Sequence, residues 1–332
     1  MNEDRLRKSP NVAIVGSSSL LGKELKEMLE DRPFPTGKLV ALETEEYAGL
    51  LQEFAGEIQI TQILSPETLA DIDIAFFACS PEIMTAYLAS GAQFPELTID
   101  LTQSGRPGSL YLNEVSGAAI LKPQGYFVNP HPATIVLARL LLRLNQAFGV
   151  ESSVATLLEP ASERGTRGVD ELQEQTISLL NFQEFDKKIF RGQLAFNILP
   201  EPETATRTES TVLEQLATVL GPTFPLPVLT ALQAPVFHSH SYSIFVQCLN
   251  DPGLEDILKA LQADSAFAWH DNAAEISPVT IVGNDKIHVG RVRKVAGRSG
   301  GLSLWAATDN LRIAAANAIH LAESIMLRTI VD

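Results

Sequence analysis

Short apolar runs alternate with stretches of helical periodicity along the first third of the chain. Asn11 to Val15 is a β-branched apolar run that ends at Gly16, and its shortness favours a buried strand over a helix. From Leu20 to Leu29, apolar residues recur at helical spacing among charged ones. The chain is therefore predicted to open with a strand, a glycine-containing loop and a helix.

The same alternation continues to about residue 125. Further strands are predicted at Lys38 to Leu42, Ile72 to Ala78 and Leu97 to Leu101, and a helix at Pro81 to Ser90. Strands separated by helices need crossover connections, which produce a parallel sheet. We therefore predict a Rossmann-like, dinucleotide-binding-type domain over residues 1–127.

The pattern changes after Val128. Helices and strands of a different arrangement are predicted at Ala133 to Leu144 (helix), Ser153 to Leu158 (strand), Val169 to Leu180 (helix), and Tyr242 to Cys248 and Ile287 to Val292 (antiparallel strands). The sequence thus predicts an α/β protein whose second domain, residues 128–310, is an α+β domain with a mixed sheet. The alanine-rich helix predicted at Leu311 to Leu327 is assigned to the first domain as residues 311–330.

Composition narrows the function classes. The 332 residues are 45% hydrophobic and 20% charged, which is typical of a globular protein with sizeable cores. The net charge of -15 and the lack of a basic stripe exclude a nucleic-acid partner and disfavour an anionic membrane surface. No apolar run is long enough to span a bilayer, and Cys79 and Cys248 are the only cysteines, so we expect a cytoplasmic protein without disulfides.

The loop after the first strand has the sequence features of a phosphate-binding turn. Its cofactor-contact candidates are Gly16, Ser18, Ser19, Leu20 and Gly22. Glycines let the backbone approach a phosphate, and the following helix offers free N–H groups. Ser19, however, stands where the dinucleotide fingerprint has its middle glycine. A tight strand-to-helix turn with a serine cap explains the same residues, and both interpretations stay open.

An acidic cluster follows the second predicted strand. Glu43, Glu45 and Glu46 lie where an acidic residue can hold a ribose hydroxyl and where an arginine would favour a 2′-phosphate. NADP is therefore unlikely, whereas weak NAD binding is compatible with the cluster. A solvated acidic loop, with no cofactor bound at all, is the alternative.

Several stretches, in chain order, resemble one family, the aspartate-semialdehyde dehydrogenases. They are NVAIVGSSSLLGKEL, IDLTQSGR, YLNEVSG, VNPHPATI, ERGTRGVDELQEQT, QAPVFHSHS, VGRVRK and GLSLWAATDNLRIAAANAIHLAE. The resemblance covers nearly the whole chain and implies a homodimer formed through the second domain. It also implies His240 at the general-base position, Arg106 at the phosphate contact and Glu209 at an acidic substrate contact.

The chain departs from the family's pattern at four positions. In the family a cysteine thiolate attacks the substrate carbonyl, hydride passes to the nicotinamide, and phosphate releases an acyl phosphate. The nucleophile position holds Pro132, Glu159 replaces a substrate-orienting glutamine, Gln233 replaces the arginine that clamps the substrate carboxylate, and Ala205 replaces a phosphate-binding lysine. The chain thus resembles a cysteine-lacking, USG-1-like branch of the family, for which we expect no activity in that reaction.

Two other functions remain open. One is an oxidoreductase of altered specificity that acts on an aldehyde or oxo group with NAD(P) and uses His240 as its base. The other is an alternative centre built from His131, His238 and His240, since the last two are spaced to share one face of a strand, with Glu159 close by. Because this spacing alone is weak support for a metal, no metal ligands are assigned.

Overall fold

The chain divides into two compact units. A computed structural model describes residues 9–54, 56–113, 115–116, 124–201 and 208–331. One unit comprises Met1–Pro130 with Ala314–Asp332, and the other comprises His131–Ile313. In the described part of the chain, no helix is long and apolar enough to cross a membrane.

The first unit is built on a seven-stranded, entirely parallel sheet. Its strand order is β5-β2-β1-β6-β7-β9-β8. The strands are β1 (Asn11–Val15), β2 (Lys38–Glu43), β5 (Gln62–Ile63), β6 (Ile74–Phe77), β7 (Leu97–Asp100), β8 (Ser109–Leu110) and β9 (Gly125–Val128). A separate antiparallel hairpin consists of β3 (Leu51–Phe54) and β4 (Glu57–Ile60). The predicted Rossmann-like sheet is confirmed.

Alternation along the strands supplies this sheet with an apolar layer on each face. Val12 and Ile14 belong to one buried cluster, whereas Ala13 and Val15 belong to the other. The helices of the unit are α1 (Leu20–Asp31), α2 (Pro66–Leu69), α3 (Pro81–Ala89) and the greater part of α9 (Asn310–Val331). Side chains of α1 and α9 share the first cluster, and side chains of α3 share the second.

The second unit contains a mixed seven-stranded sheet, as predicted. Its order is β11-β12-β10-β13-β16-β15-β14, with β10–β12 and β14–β15 parallel and the other pairs antiparallel. The strands are β10 (Val150–Glu159), β11 (Leu199–Pro200), β12 (Val228–Gln233), β13 (His240–Cys248), β14 (Phe267–His270), β15 (Ile287–Lys294) and β16 (Gly301–Thr308). The helices are α4 (Pro132–Phe148), α5 (Gly165–Leu180), α6 (Thr208–Leu220), α7 (Leu254–Gln262) and α8 (Pro278–Ile281).

A buried ion pair joins α4 to the residues that follow α7. Arg139 donates from Nε to Asp264 Oδ2 at 3.2 Å and from Nη2 to Oδ1 at 2.8 Å, and both residues are buried. Burial alone would raise the pKa of Asp264, but the bonds and charge of Arg139 outweigh it and the pKa is lowered. The aspartate is therefore held ionised inside the unit.

The strand that carries His240 begins two residues before the predicted Tyr242 but does not reach His238. β13 starts at His240 itself, and Ser239 has a positive φ of 77°. The two-residue alternation of a strand therefore does not extend back to His238. The prediction that His238 and His240 share one face of a strand is wrong.

Candidate active site

In the first unit, the loop after β1 is tightly packed. Gly16 has a φ of 82°, and a Cβ there would lie 2.6 Å from Cys79 Cα, so no other residue fits without a shift. Ser19 caps α1, because its Oγ accepts from Gly22 N at 2.9 Å and donates to Ala78 O at 2.8 Å. Ser19, which stands where the dinucleotide fingerprint has its middle glycine, therefore already accepts from one of the N–H groups at the start of α1.

Glu43 ends β2 and turns its carboxylate into this loop. It is only 5% exposed, and its Oε1 accepts from Ser17 Oγ at 3.0 Å and from both the backbone N–H and the hydroxyl of Ser18. Gln52 in turn donates to Ser17 Oγ at 3.1 Å. Glu43 is thus fixed beside the glycine loop, whereas Glu45 and Glu46 are exposed.

Arg106 packs against two aromatic rings of the same unit. Its guanidinium carbon is 4.5 Å from the centroid of Phe94 and 4.4 Å from that of Tyr126. The Tyr126 hydroxyl donates to Asp100 Oδ2 at 2.5 Å, and burial together with this carboxylate raises the pKa of Tyr126. A guanidinium held against aromatic rings can still donate to an anion through its planar set of N–H groups.

In the second unit, His131 caps α4 with its side chain. Its Nδ1 accepts from Ala133 N at 3.1 Å, which assigns the proton of a neutral ring to Nε2. Pro132 occupies the first helical position, where a missing N–H costs nothing. Gln215 Oε1 accepts from His131 N and from the Thr134 hydroxyl, both at 2.8 Å.

Glu163 bridges two histidines in this unit. Its Oε1 lies 2.8 Å from His131 Nε2, and its Oε2 lies 2.9 Å from His240 Nε2. The second contact is an ion-pair contact rather than an aligned hydrogen bond. The imidazoles stack with centroids 5.8 Å apart and planes 20° apart, and His240 Nδ1 lies 3.1 Å from the Tyr242 hydroxyl. The result is a buried chain of four titratable groups.

The charges of Glu163 and His131 shift each other's pKa values. Burial alone would lower the pKa of His131, but the charge of Glu163 and its hydrogen bond outweigh burial and raise it. Burial would likewise raise the pKa of Glu163, yet His131 and His240 hold it well below its usual range. Burial and Glu163 raise the pKa of Tyr242. Glu163 is therefore the anion of the site, hydrogen-bonded to His131 and within ion-pair distance of His240.

Backbone contacts fix the position of Glu163. The short 3₁₀ turn Ala161–Arg164 carries it, and this turn donates from Ala161 N to Val236 O at 2.8 Å and from Ser162 N to Phe237 O at 2.9 Å. Gly168 packs so closely under the turn that a Cβ there would lie 2.3 Å from Ala161 O. The turn is thus anchored to the segment that leads into β13.

Asn310 ties both ends of the cluster together. Its Nδ2 donates to Glu163 Oε2 at 3.1 Å, while its Oδ1 accepts from Ser239 N at 3.1 Å and from the Ser162 hydroxyl at 3.2 Å. One amide therefore holds the carboxylate and the residue just before His240. This arrangement is a preorganised proton donor and acceptor pair, which is the chemistry needed for general acid–base work.

Next to this cluster, Glu159 and Gln233 occupy the ends of two parallel strands. They are register partners of β10 and β12, and both are buried. Gln233 Nε2 donates to Glu159 Oε2, and Arg164 Nη2 lies 3.7 Å from the same oxygen. Burial and the charge of Glu163 raise the pKa of Glu159. The pair consequently presents oxygen acceptors rather than the N–H donors that an anion requires.

Comparison with known proteins places this arrangement in a family. Residues 11–121 match the model of the semialdehyde dehydrogenase NAD binding domain, and residues 141–313 match that of the semialdehyde dehydrogenase dimerisation domain. Aspartate-semialdehyde dehydrogenase of Rickettsia conorii is 30% identical over 335 residues, covering 97% of this chain and 99% of the relative. The chain belongs to the aspartate-semialdehyde dehydrogenase family.

Other relatives agree over the same length. Aspartate-semialdehyde dehydrogenase of Bacillus subtilis is 27% identical, covering 95% of this chain and 97% of the relative. The crystal structure of aspartate semialdehyde dehydrogenase II from Vibrio cholerae, complexed with ASA, is similar with a TM-score of 0.88 and 27% identity, covering 97% of this chain and 99% of that one. The two-domain fold expected from the resemblance is confirmed, and the matched dimerisation domain is consistent with a homodimer.

Both cysteines of this family member are buried and free. Cys79 packs against Gly16 in the first unit, where burial and the charge of Asp100 raise its pKa to about 12. Cys248 ends β13, and burial raises its pKa as well. A thiol reacts as its thiolate, and a raised pKa leaves less thiolate at neutral pH.

The remaining candidates fall in different places. Glu209 Oε1 accepts from Ala231 N at 2.9 Å and so ties α6 to β12. Ala205 lies outside the described residues. His131 and His240 do meet, as the alternative centre required, but the described residues hold no group of three or more His, Cys, Asp or Glu side chains arranged for a metal.

Glu163 is the residue that the sequence analysis missed. It stands in the segment ERGTRG, which was matched to the family only as a loop before a helix. Its two imidazole partners lie 32 and 77 residues away, so no local spacing reveals it. The available signal is its place five residues after the predicted strand Ser153 to Leu158, near the strand end where such sheets gather functional groups.

Proposed function

We propose that this chain is a member of the cysteine-lacking, USG-1-like branch and does not oxidise aspartate semialdehyde. The observation that carries the proposal is the start of α4, where Pro132 stands in the segment that resembles the family's nucleophile segment. Proline has no nucleophilic atom, and the two thiols of the chain are buried with raised pKa values. Without a thiolate no thiohemiacetal forms from which hydride could leave.

The altered substrate contacts support the same conclusion. Gln233 stands in place of the arginine that would clamp a carboxylate, and its amide is already engaged with Glu159. A neutral amide cannot replace a bidentate guanidinium at similar strength. We expect the site to bind a small molecule that is not the family's substrate.

The bridged histidines favour a second candidate, an oxidoreductase that acts on an aldehyde or oxo group. Reducing a carbonyl to an alcohol requires a hydride donor and a proton donor but no thiolate. His131 and His240, held beside Glu163, are suited to supply the proton, since a neighbouring carboxylate stabilises an imidazolium.

We propose weak NAD binding, with NADP disfavoured. When bound, a nicotinamide dinucleotide supplies or accepts the hydride. Glu43, fixed beside the glycine loop, fits a ribose hydroxyl and repels a 2′-phosphate. Ser19, which caps α1 itself, reduces the donors left for the pyrophosphate. We also propose a homodimer, which the matched dimerisation domain supports. The proposed location is the cytoplasm.

The first test is turnover. The purified protein is mixed with aspartate semialdehyde, phosphate and NAD or NADP, with the Bacillus subtilis relative as the positive control. We expect no reduced nicotinamide above the level given by a Glu163→Gln variant. Phosphate-dependent turnover by the unmodified chain would overturn the proposal.

The second test is calorimetry with each dinucleotide. NAD should bind in the millimolar range and NADP more weakly, and Glu43→Gln should reduce the difference between them because it removes the repelling charge. If neither dinucleotide binds, hydride transfer and the oxidoreductase candidate are eliminated.

A further inference from the structure

Two buried oxygen atoms at the strand ends of the second unit lack donors. Glu159 is 0% exposed and Gln233 is 3% exposed, and among the described residues neither Oε1 atom has a hydrogen-bond partner. Buried acceptors of this kind are uncommon and unfavourable in folded proteins. Here two of them stand side by side at the carboxyl ends of parallel strands, where α/β proteins gather their ligand contacts.

The neighbouring donors reach only the other oxygen of Glu159. Gln233 Nε2 donates to Oε2, and the Arg164 guanidinium, about a third exposed, stays 3.7 Å from it. The Thr208 hydroxyl lies close enough to lower the pKa of Glu159, but it forms no hydrogen bond to Oε1. The described side chains around the pair therefore leave both Oε1 atoms available to accept from a bound molecule.

Charge then selects the kind of group that fits. Glu163 lies within ion-pair distance of His131 and His240, whereas among the described residues the one ion-pair contact of Glu159 is Arg164, 3.7 Å away and partly exposed. A carboxylate or phosphate brought here would face two acceptors and a negative charge. An ammonium group carries three donors, no acceptor and a positive charge, so it complements both oxygens.

We propose that the Glu159–Gln233 pair binds the primary ammonium group of a small molecule, which donates to Oε1 of each residue. The inference rests on the proposed function, in which this site holds a small molecule without thiol chemistry. It assigns a substrate class opposite in sign to the carboxylate that an arginine at residue 233 would clamp.

The experiment is calorimetry on the full chain with three matched probes, namely propylammonium, propionate and 1-propanol. Propylammonium should bind, and the other two should bind roughly tenfold more weakly or not at all, because a charge-assisted hydrogen bond is lost. Binding should also release protons, measured in buffers of different ionisation heat, since an ammonium group favours the ionised form of Glu159.

Variants make the test specific. Glu159→Gln should abolish the preference for propylammonium, and the exposed Glu174→Gln on α5 should leave it unchanged. The double variant Glu159→Gln with Gln233→Arg should reverse the preference towards propionate. An unfolding curve is recorded for each variant, to show that it is folded before its binding of the probes is measured.

Three results would overturn the inference. They are equal or tighter binding of propionate by the unmodified chain, no binding of propylammonium by the folded chain, and an unchanged preference in Glu159→Gln. None of them produces phosphate-dependent turnover, so failure of this inference is distinguishable from failure of the proposed function.

Discussion

A pair of histidines at the edge of the second unit's sheet should make that unit sensitive to mild acid. His270 on β14 and His288 on β15 lie beside each other, with His270 Nε2 2.8 Å from His288 Nδ1. Glu275 Oε2 lies 3.2 Å from His270 Nδ1. His288 Nε2 is buried and has no hydrogen-bond partner among the described residues.

The pKa of His288 gives the magnitude. Burial, with the nearby charges of His270 and Lys286, lowers it from 6.5 to about 4. A histidine with a lowered pKa is most favourable to the fold above its unfolded value of 6.5. As pH falls, the unfolded chain takes up the proton first, so stability declines until pH reaches about 4. Over that window the loss is about 3 kcal/mol.

The assay is denaturant unfolding followed by tryptophan fluorescence between pH 7 and 4. Trp269 adjoins His270, and Trp305 donates to Ile276 O at 3.2 Å, so both tryptophans of the chain report on this unit. The His288→Leu variant should lose about 3 kcal/mol less than the unmodified chain over this range. A matched cavity variant, Ile281→Val, should lower stability by about 1 kcal/mol at every pH without changing the slope.

The reasoning would be refuted by parallel pH curves for the unmodified chain and His288→Leu. Parallel curves would mean that His288 binds its proton equally well in the folded and unfolded states. Other groups contribute to the total pH dependence, so the difference between the two chains is the decisive quantity.

Three further predictions concern single side chains. Arg139→Leu should destabilise the chain by about 3–5 kcal/mol in urea because it strands a buried carboxylate, whereas Arg143→Leu, 3.8 Å from the same group and one-third exposed, should cost less than about 1 kcal/mol. Gly16→Ala should lower the free energy of unfolding by about 2 kcal/mol or more, because the added Cβ clashes with Cys79 and the backbone has a positive φ. Gly91→Ala should lower it by about 1 kcal/mol, because its φ is also positive but the added Cβ meets open space. Arg106→Met should weaken phosphate binding, measured by calorimetry, by roughly tenfold, and unchanged affinity would remove Arg106 from the anion site.

Periodicity predicted the framework well because burial imposes it. Val12 to Val15 alternate between two buried layers. The helical periodicity of Ala133 to Leu144 correctly predicted the middle of α4. The ends of elements were less predictable, since side-chain caps decide them. The imidazole of His131 caps α4, which begins one residue before the predicted start, and β13 begins two residues before the predicted Tyr242, directly after the positive φ of Ser239.

The candidate site was only partly predictable. Family motifs brought His131 and His240 into the same picture, but Glu163 joins them through contacts that span 32 and 77 residues. Likewise, Glu43 at the end of β2 was expected to face a cofactor, and only the structure shows that Ser17 and Ser18 donate hydrogen bonds to it. Such partnerships arise from topology, which one sequence does not display.

The last helix has a consequence for how the chain is made. The core of the first unit includes Ile319, Leu321 and Ile325, which are joined to the sheet only after the whole second unit has been synthesised. On the ribosome, the continuous segment His131–Ile313 can fold as soon as it emerges, while the earlier segment must wait with part of its apolar layer uncovered. The portion translated first is thus completed last, and during that interval it is the part of the nascent protein most in need of a chaperone.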